Sequence, residues 1–237
     1  MGLIFNADVG EGLGNEAEIM PYISWCNIAC GVHAGSDKVI QETIQFAKKH
    51  NVKIGAHPSY PDRDNFGRIS MKISKNDLIK TIANQIALVK YYTEKIGCKL
   101  HHIKPHGALY NDAIKDKNVA DAIYESVKSI DKSLKIVTTK ESMISKVYRD
   151  VFDIKHEVFA DRNYNEDLSL VSRSEKKAVI KDKEAVLKHM SAIVKRGKVI
   201  TKNGAEMPIT FDTVCVHGDT PNSVEILKHL YANFFQK

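Results

Sequence analysis

The sequence has no apolar run near the roughly 20 residues that a membrane-crossing helix requires, so no membrane partner is expected. It also has no G-x-G-x-x-G after its first apolar stretch. Only Gly10, Gly12 and Gly14 occur there, beside Asp8 and Glu11, and a dinucleotide pyrophosphate would be poorly served. No serine or cysteine sits in a strand-to-helix nucleophile elbow, which argues against a covalent acyl-enzyme. Cysteine is scarce. Cys26, Cys30, Cys98 and Cys215 include no C-x-x-C pair, and reduced, mostly buried thiols are expected. Charge of one sign is also in short supply. The excess is +6, from 35 basic and 29 acidic residues, and the densest basic stretch, Ser174–Lys183, contains Glu175 and Asp182. Scattered lysines beside acids describe a solvated surface rather than a nucleic-acid footprint. Asp8 and Glu11 stand where a secretion signal would need its apolar segment, so the expected location is the cytoplasm.

What is present is alternation. Short apolar or β-branched stretches occur at Leu3–Val9, Ile23–Cys30, Val52–Ala56, Leu100–Lys104, Leu134–Thr138, His156–Ala160 and Thr213–His217. Between most of them the apolar spacing is helical. Ile40, Ile44 and Ala47 mark one such segment. Ser74 and Asp77 form a capping box ahead of Leu78, Ile82, Ile86 and Val89, and Gly97 closes that helix. Further helices are expected over Asp116–Ile130 and Glu141–Val151, and around Val186, Met190 and Ile193 up to Gly197. In the last, Thr220 serves as N-cap and Pro221 as first residue. Seven strands alternating with about six helices imply parallel β/α units. An open doubly wound sheet and a closed barrel both satisfy that pattern. Polar residues gathered after almost every strand favour the barrel, as one domain spanning residues 1–237.

Strand alternation sorts those polar residues by face. If the faces carrying Asn6 and Asp8, Gly55 and His57, His102 and Lys104, and Cys215 and His217 point inward, the barrel mouth gathers Asp8, Asn27, His57, Lys104, His106, Asp161 and His217. Glu11, His33, Arg162 and Asp219 follow within a few residues. Any one of these histidines would ordinarily be a hydrogen-bonded structural residue; the case for a site is their convergence from different strands. Histidine with carboxylate suits metal binding or general acid–base catalysis. Lys104 and Arg162 suit an anionic substrate or a developing oxyanion. The chemistry expected is hydrolysis or lyase chemistry on a small anionic molecule, with or without help from a metal.

Six motifs then add specificity: NADVGEGLG, NIACGVHAG, GAHPSYPDRDNFGR, KPHGALYN, EVFADRNY and CVHGDTP. In this order and spacing they resemble the LamB/YcsF family, whose members are described as one component of prokaryotic 5-oxoprolinase. The resemblance implies a seven-stranded β/α barrel of the glycoside hydrolase/deacetylase kind. It also implies ATP-dependent opening of 5-oxo-L-proline to L-glutamate, with ATP and Mg²⁺ as co-substrate and partner subunits B and C. Phosphorylating the lactam oxygen would make the ring carbon attackable by water, which an unactivated lactam is not. Catalytic candidates are His57, His106, Lys104, Asp161 and Asp8. Substrate-binding candidates are Asn6, Glu11, Asn27, His33, Arg68, Arg162, His217 and Asp219. Deacetylase-like barrels further suggest a tightly held divalent metal on Asp8, His57 and His106; the alternative is that these three only hydrogen-bond one another or substrate. Leu13, Val32, Ser59 and Asn65 depart from the usual pattern without removing an ionisable group. Two other readings stay open: a stand-alone metal-dependent amidohydrolase or deacetylase, and a non-catalytic small-molecule-binding barrel. Residues 163–181, charged and aperiodic, would form a lid or a partner surface.

Overall fold

A computed structural model describes residues 2–235. Seven parallel strands close into a barrel in the order β1 (Phe5–Val9), β2 (Trp25–Ala29), β3 (Lys53–His57), β4 (Leu100–Ile103), β5 (Lys135–Thr138), β6 (Ile154–Phe159) and β9 (Thr213–Val216), with β9 pairing back onto β1. Each barrel strand lies within two residues of the stretch expected for it. Helices α2 (Asp37–Lys49), α3 (Lys75–Lys95), α4 (Gly107–Lys115), α5 (Lys117–Ile130), α6 (Met143–Tyr148), α7 (Lys183–Arg196) and α8 (Ser223–Phe234) follow successive strands, after a one-turn α1 (Glu16–Ile19). None is long and apolar enough to cross a membrane.

The apolar core lies between barrel and helices. Strand residues Ala7, Ile28, Ala56, Ile103, Ile136, Val158 and Val214 are buried under helix residues such as Ile44, Ile86, Ile123, Ile193 and Leu227. Half of the capping box forms, the Asp77 carboxylate accepting from the Ser74 hydroxyl rather than from its amide. Ser74 accepts from the Asp77 amide to start α3, and Gly97 follows its last turn at φ +73°. Gly197, at φ +63°, ends α7.

Four details differ from expectation. Helix α4 lies where no helix was expected; Gly107 opens it, packed on the preceding loop. Helix α6 is shorter than the 141–151 stretch expected. A two-stranded hairpin, β7 (Lys198–Ile200) with β8 (Glu206–Pro208), is inserted before β9, turning at Asn203-Gly204. Such a dipeptide between short strands is the sequence signal for it. Helix α8 starts at Ser223 behind Asn222 in a left-handed conformation. Thr220 is therefore not its cap; its hydroxyl donates to Asp161 instead.

Inward-facing strand residues are polar to an unusual degree. Asn6, Asn27, His102, Lys104, Glu157 and Thr213 are all at most 3% exposed. Gly55 makes room for this: a Cβ there would lie 2.2 Å from His102 Nε2.

Candidate active site at the barrel mouth

In a parallel barrel every strand delivers its following residue to the same end. Here the turns after six of the seven strands carry ionisable side chains to a cavity of about 670 Å³. Asp8, Glu11, His57, Arg68, Lys104, His106, Arg162, His217 and Asp219 all line it.

The floor is an ion cluster. Lys104 Nζ lies 3.0 Å from Asp8 Oδ1, 3.1 Å from Glu157 Oε2 and 3.0 Å from Cys215 Sγ. Burial opposes its charge, yet Asp8, Cys215 and Glu157 hold its pKa well above the ordinary lysine range. Burial likewise opposes ionisation of Asp8, but His57, Lys104 and His217 together keep it well below the usual carboxylate range. Asn27 donates to Asp8 at 2.8 Å and to Asn6 at 2.9 Å; Asn6 in turn donates to Thr213. Lys104 is thus spent on protein partners and is not a free anion-binding cation.

Above the floor stand two imidazoles with fixed tautomers. His57 Nδ1 is 2.6 Å from the Lys104 carbonyl and His106 Nε2 is 2.9 Å from the Phe66 carbonyl. A carbonyl only accepts, so those nitrogens carry the protons. The remaining nitrogens, His57 Nε2 and His106 Nδ1, face each other at 3.0 Å. Burial pushes both rings toward the neutral form, His57 well below the ordinary range and His106 to about 4. Asp8 Oδ2 lies 3.5 Å from His57 Nε2. Glu11 Oε1 lies 3.4 Å from His106 Nδ1 and 4.0 Å from His57 Nε2, with no hydrogen-bond donor of its own. Burial, then the Asp8 charge, raises Glu11 to about 7. His57 Nε2, His106 Nδ1 and Glu11 Oε1 therefore lie within 4.0 Å of one another, and Asp8 Oδ2 approaches from the His57 side.

That locus fits a cation. Of the expected set, His57 and His106 meet, with Glu11 beside both, while Asp8 reaches only the His57 edge of the pair. A carbonyl-anchored N–H on each ring is also the arrangement that fixes a metal-binding imidazole. Two other triplets approach within 4.8 Å, among the described residues. In Asp8, Cys215 and His217 the Lys104 ammonium already serves as the cation. In Glu11, His33 and His106 the two rings are stacked at 3.8 Å and 6°, so their in-plane lone pairs run parallel and cannot meet at one ion.

Several candidates do not reach the cavity as expected. Asn6 and Asn27 are wholly buried beneath the floor and bind its side chains. Asp161 is also buried, with its oxygens taken by the His217 ring, the His217 amide and the Thr220 hydroxyl; it orients His217 rather than facing a water. His33 backs His106 through the stack. Arg162 lines the cavity, but its guanidinium donates to the Val171 and Ala178 carbonyls and ties down residues 163–181. Those residues lie along one side of the cavity, which Leu168–Arg173 help to line. Arg173, absent from the candidates, reaches Asp219 from there at 3.2 Å.

The sequence profile of the LamB/YcsF family matches residues 3–237. The chain belongs to that family. LamB/YcsF relatives include the 5-oxoprolinase A-subunit of Pyrococcus abyssi, 41% identical over 97% of this chain and 92% of that protein. The 5-oxoprolinase A-subunit of Bacillus cereus is 38% identical over 97% and 93%. The crystal structure of the lactam utilization protein from Thermus thermophilus superposes with a TM-score of 0.91 at 34% identity, over 98% of this chain and 95% of that one. The seven-stranded barrel is thus a LamB/YcsF barrel, and its mouth is where that family's side chains converge here.

Proposed function

We propose that this chain is the ring-opening component of an ATP-dependent 5-oxoprolinase, working with subunits B and C. The observation that carries the reading is the His57–His106 pair flanked by Glu11 and Asp8 at the mouth of a polar cavity, in a chain so similar to proteins named for this role.

The overall conversion is 5-oxo-L-proline, ATP and two waters to L-glutamate, ADP and phosphate. A lactam resists water because nitrogen donates into the carbonyl. Phosphorylation at oxygen makes the ring carbon electrophilic. Water then adds there, the C–N bond breaks as nitrogen gains a proton, and a second water releases phosphate from the acyl phosphate. The chain's residues suit the two proton movements. A water at the locus would give one proton to His57 Nε2 or His106 Nδ1, which are fixed as acceptors, as its oxygen attacks the ring carbon. Glu11, raised to about 7, can hold a proton at working pH and pass it to the leaving nitrogen. Lys104 keeps Asp8 ionised beside the histidines.

The donor set of imidazoles and carboxylates would hold a divalent transition ion more readily than Mg²⁺, which prefers oxygen alone. Such an ion would supply Lewis acidity toward a carbonyl or phosphoryl oxygen. Mg²⁺ enters this reading with ATP.

The test is glutamate release from 5-oxoproline by the chain alone and with subunits B and C, each with and without ATP. Release only from the complete mixture with ATP is expected. Release by the isolated chain without ATP would replace this reading with a self-sufficient metal-type amidohydrolase, which the same locus favours as the second reading. No release from any mixture of folded components would end both.

A further inference from the structure

Charge is distributed unevenly between the floor of the cavity and its rim. The floor holds Asp8, Glu157 and Glu11 around the single cation Lys104, which is buried and fully engaged. An anionic group descending to that floor would meet carboxylates and no free donor cation. The rim is the reverse. Arg68, from the loop after β3, and Arg173, from residues 163–181, converge on one carboxylate, Asp219, from the turn after β9. Arg162 adds a third guanidinium nearby, with no carboxylate in contact among the described residues.

The two converging arginines keep most of their capacity. A guanidinium has five N–H donors. Arg68 spends one on Asp219 Oδ2, and Arg173 spends one on each Asp219 oxygen. No other acceptor contacts either guanidinium among the described residues. Arg68 is also braced: its guanidinium carbon lies 4.8 Å over the Phe66 ring, and the Phe66 carbonyl is the one that fixes His106. Its backbone is held too, since the Gly67 carbonyl accepts from the Ala108 amide at 2.9 Å. That approach is so close that a Cβ on Gly107 would lie 2.5 Å from Gly67 O. Arg68 is therefore tied to the imidazole pair through one short, rigid loop.

We propose that Arg68 and Arg173, preset by Asp219 between them, form the subsite that takes the substrate's carboxylate and so restricts the chain to lactams bearing an acidic group. The proposal rests on the lactam reading above and assigns a binding role to Arg173. Asp219 acts as a positioning residue: it holds the two forks at a fixed separation and leaves their outer N–H groups for a second carboxylate. The ring then points from the cationic rim toward the imidazoles. A neutral lactam of the same ring size lacks the group that the rim holds.

The experiment is calorimetric titration of the purified chain, and of R68Q, R173Q and R173K, with 5-oxo-L-proline, with neutral 2-pyrrolidinone and with glutarate. Both arginines are partly exposed at the rim, and circular dichroism checks each fold. Wild type is expected to prefer 5-oxoproline over 2-pyrrolidinone. R173Q and R68Q should each weaken 5-oxoproline by roughly ten- to hundredfold, the span of a charge-assisted hydrogen bond, and leave 2-pyrrolidinone unchanged. R173K should recover only part of the loss, because an ammonium cannot replace the fork. Equal 5-oxoproline affinity in wild type and both glutamine variants overturns the subsite while leaving ring opening intact. Arginine-dependent binding of glutarate without any binding of 5-oxoproline keeps an anion subsite and sinks the lactam reading. Wild type that binds none of the three overturns the subsite.

Discussion

His57 Nε2 and His106 Nδ1 face each other at 3.0 Å, although each ring has already given its N–H to a backbone carbonyl. Two neutral imidazoles cannot hydrogen-bond in that arrangement. A donor or a cation is needed there: a proton shared by the rings, the Glu11 carboxyl proton 3.4 Å from His106 Nδ1, or a divalent ion; burial disfavours the proton on the rings.

A divalent transition ion should therefore stabilise the folded chain. With chelator-treated protein, Zn²⁺ or Mn²⁺ at a hundredfold excess over its dissociation constant should add about 2.7 kcal/mol. Thermal unfolding with each ion, and with Mg²⁺, gives the readout. His106→Ala should abolish the shift. If no ion moves the unfolding temperature of wild type, and nitrogen NMR shows one doubly protonated ring at neutral pH, the centre is the shared proton.

Glu11 makes the metal-free stability depend on pH with a definite sign. Its carboxyl is raised from 4.5 to about 7 in the folded state, by burial first and by Asp8 second. Stability from the protonated form is complete below the unfolded pKa and is lost as pH rises through about 7. Glu11→Gln, neutral throughout, escapes that loss. In urea unfolding the variant should gain on wild type by about 2 kcal/mol between pH 5 and pH 8. A difference that stays flat, or that grows toward acid, would show that Glu11 is ionised normally.

Gly55 and His102 should be coupled. A Cβ at Gly55 would meet the His102 ring at 2.2 Å, so Gly55→Ala alone should cost several kcal/mol or prevent folding. Gly55→Ala with His102→Ala relieves the clash, though the buried Asn27 oxygen then loses its His102 partner. The double variant should be more stable than Gly55→Ala alone, as judged by soluble yield and denaturant midpoint. Strictly additive losses would mean that the ring is not what excludes the side chain.

The barrel was legible because its strands are apolar on one face and carry chemistry on the other, with helical spacing in between. The mouth was legible for a related reason: His57, His106 and His217 each follow a different strand, and parallel strands all end on one side. Burial depth was not legible. Asn6, Asn27 and Asp161 share the strand parity of the cavity residues, but they lie too deep or turn toward a neighbour. Residue type likewise could not show that Lys104 would be surrounded by Asp8, Glu157 and Cys215. The tautomers of His57 and His106 depend on carbonyls of Lys104 and Phe66, which any residue could have supplied. Arg173 sits in an aperiodic stretch and gained a role only when that stretch folded back toward Asp219.

The polar interior of the barrel also constrains when the chain can finish folding. Asn6 donates to Thr213 across 207 residues of sequence, and β1 lies between β2 and β9. As the ribosome releases the chain, the first strand emerges with amide and carboxylate groups whose partners have not yet been made. Those groups stay in water until the last strand arrives. The barrel cannot close in stages from its amino end, so the cavity at its mouth is complete only after nearly all of these strands have been synthesised.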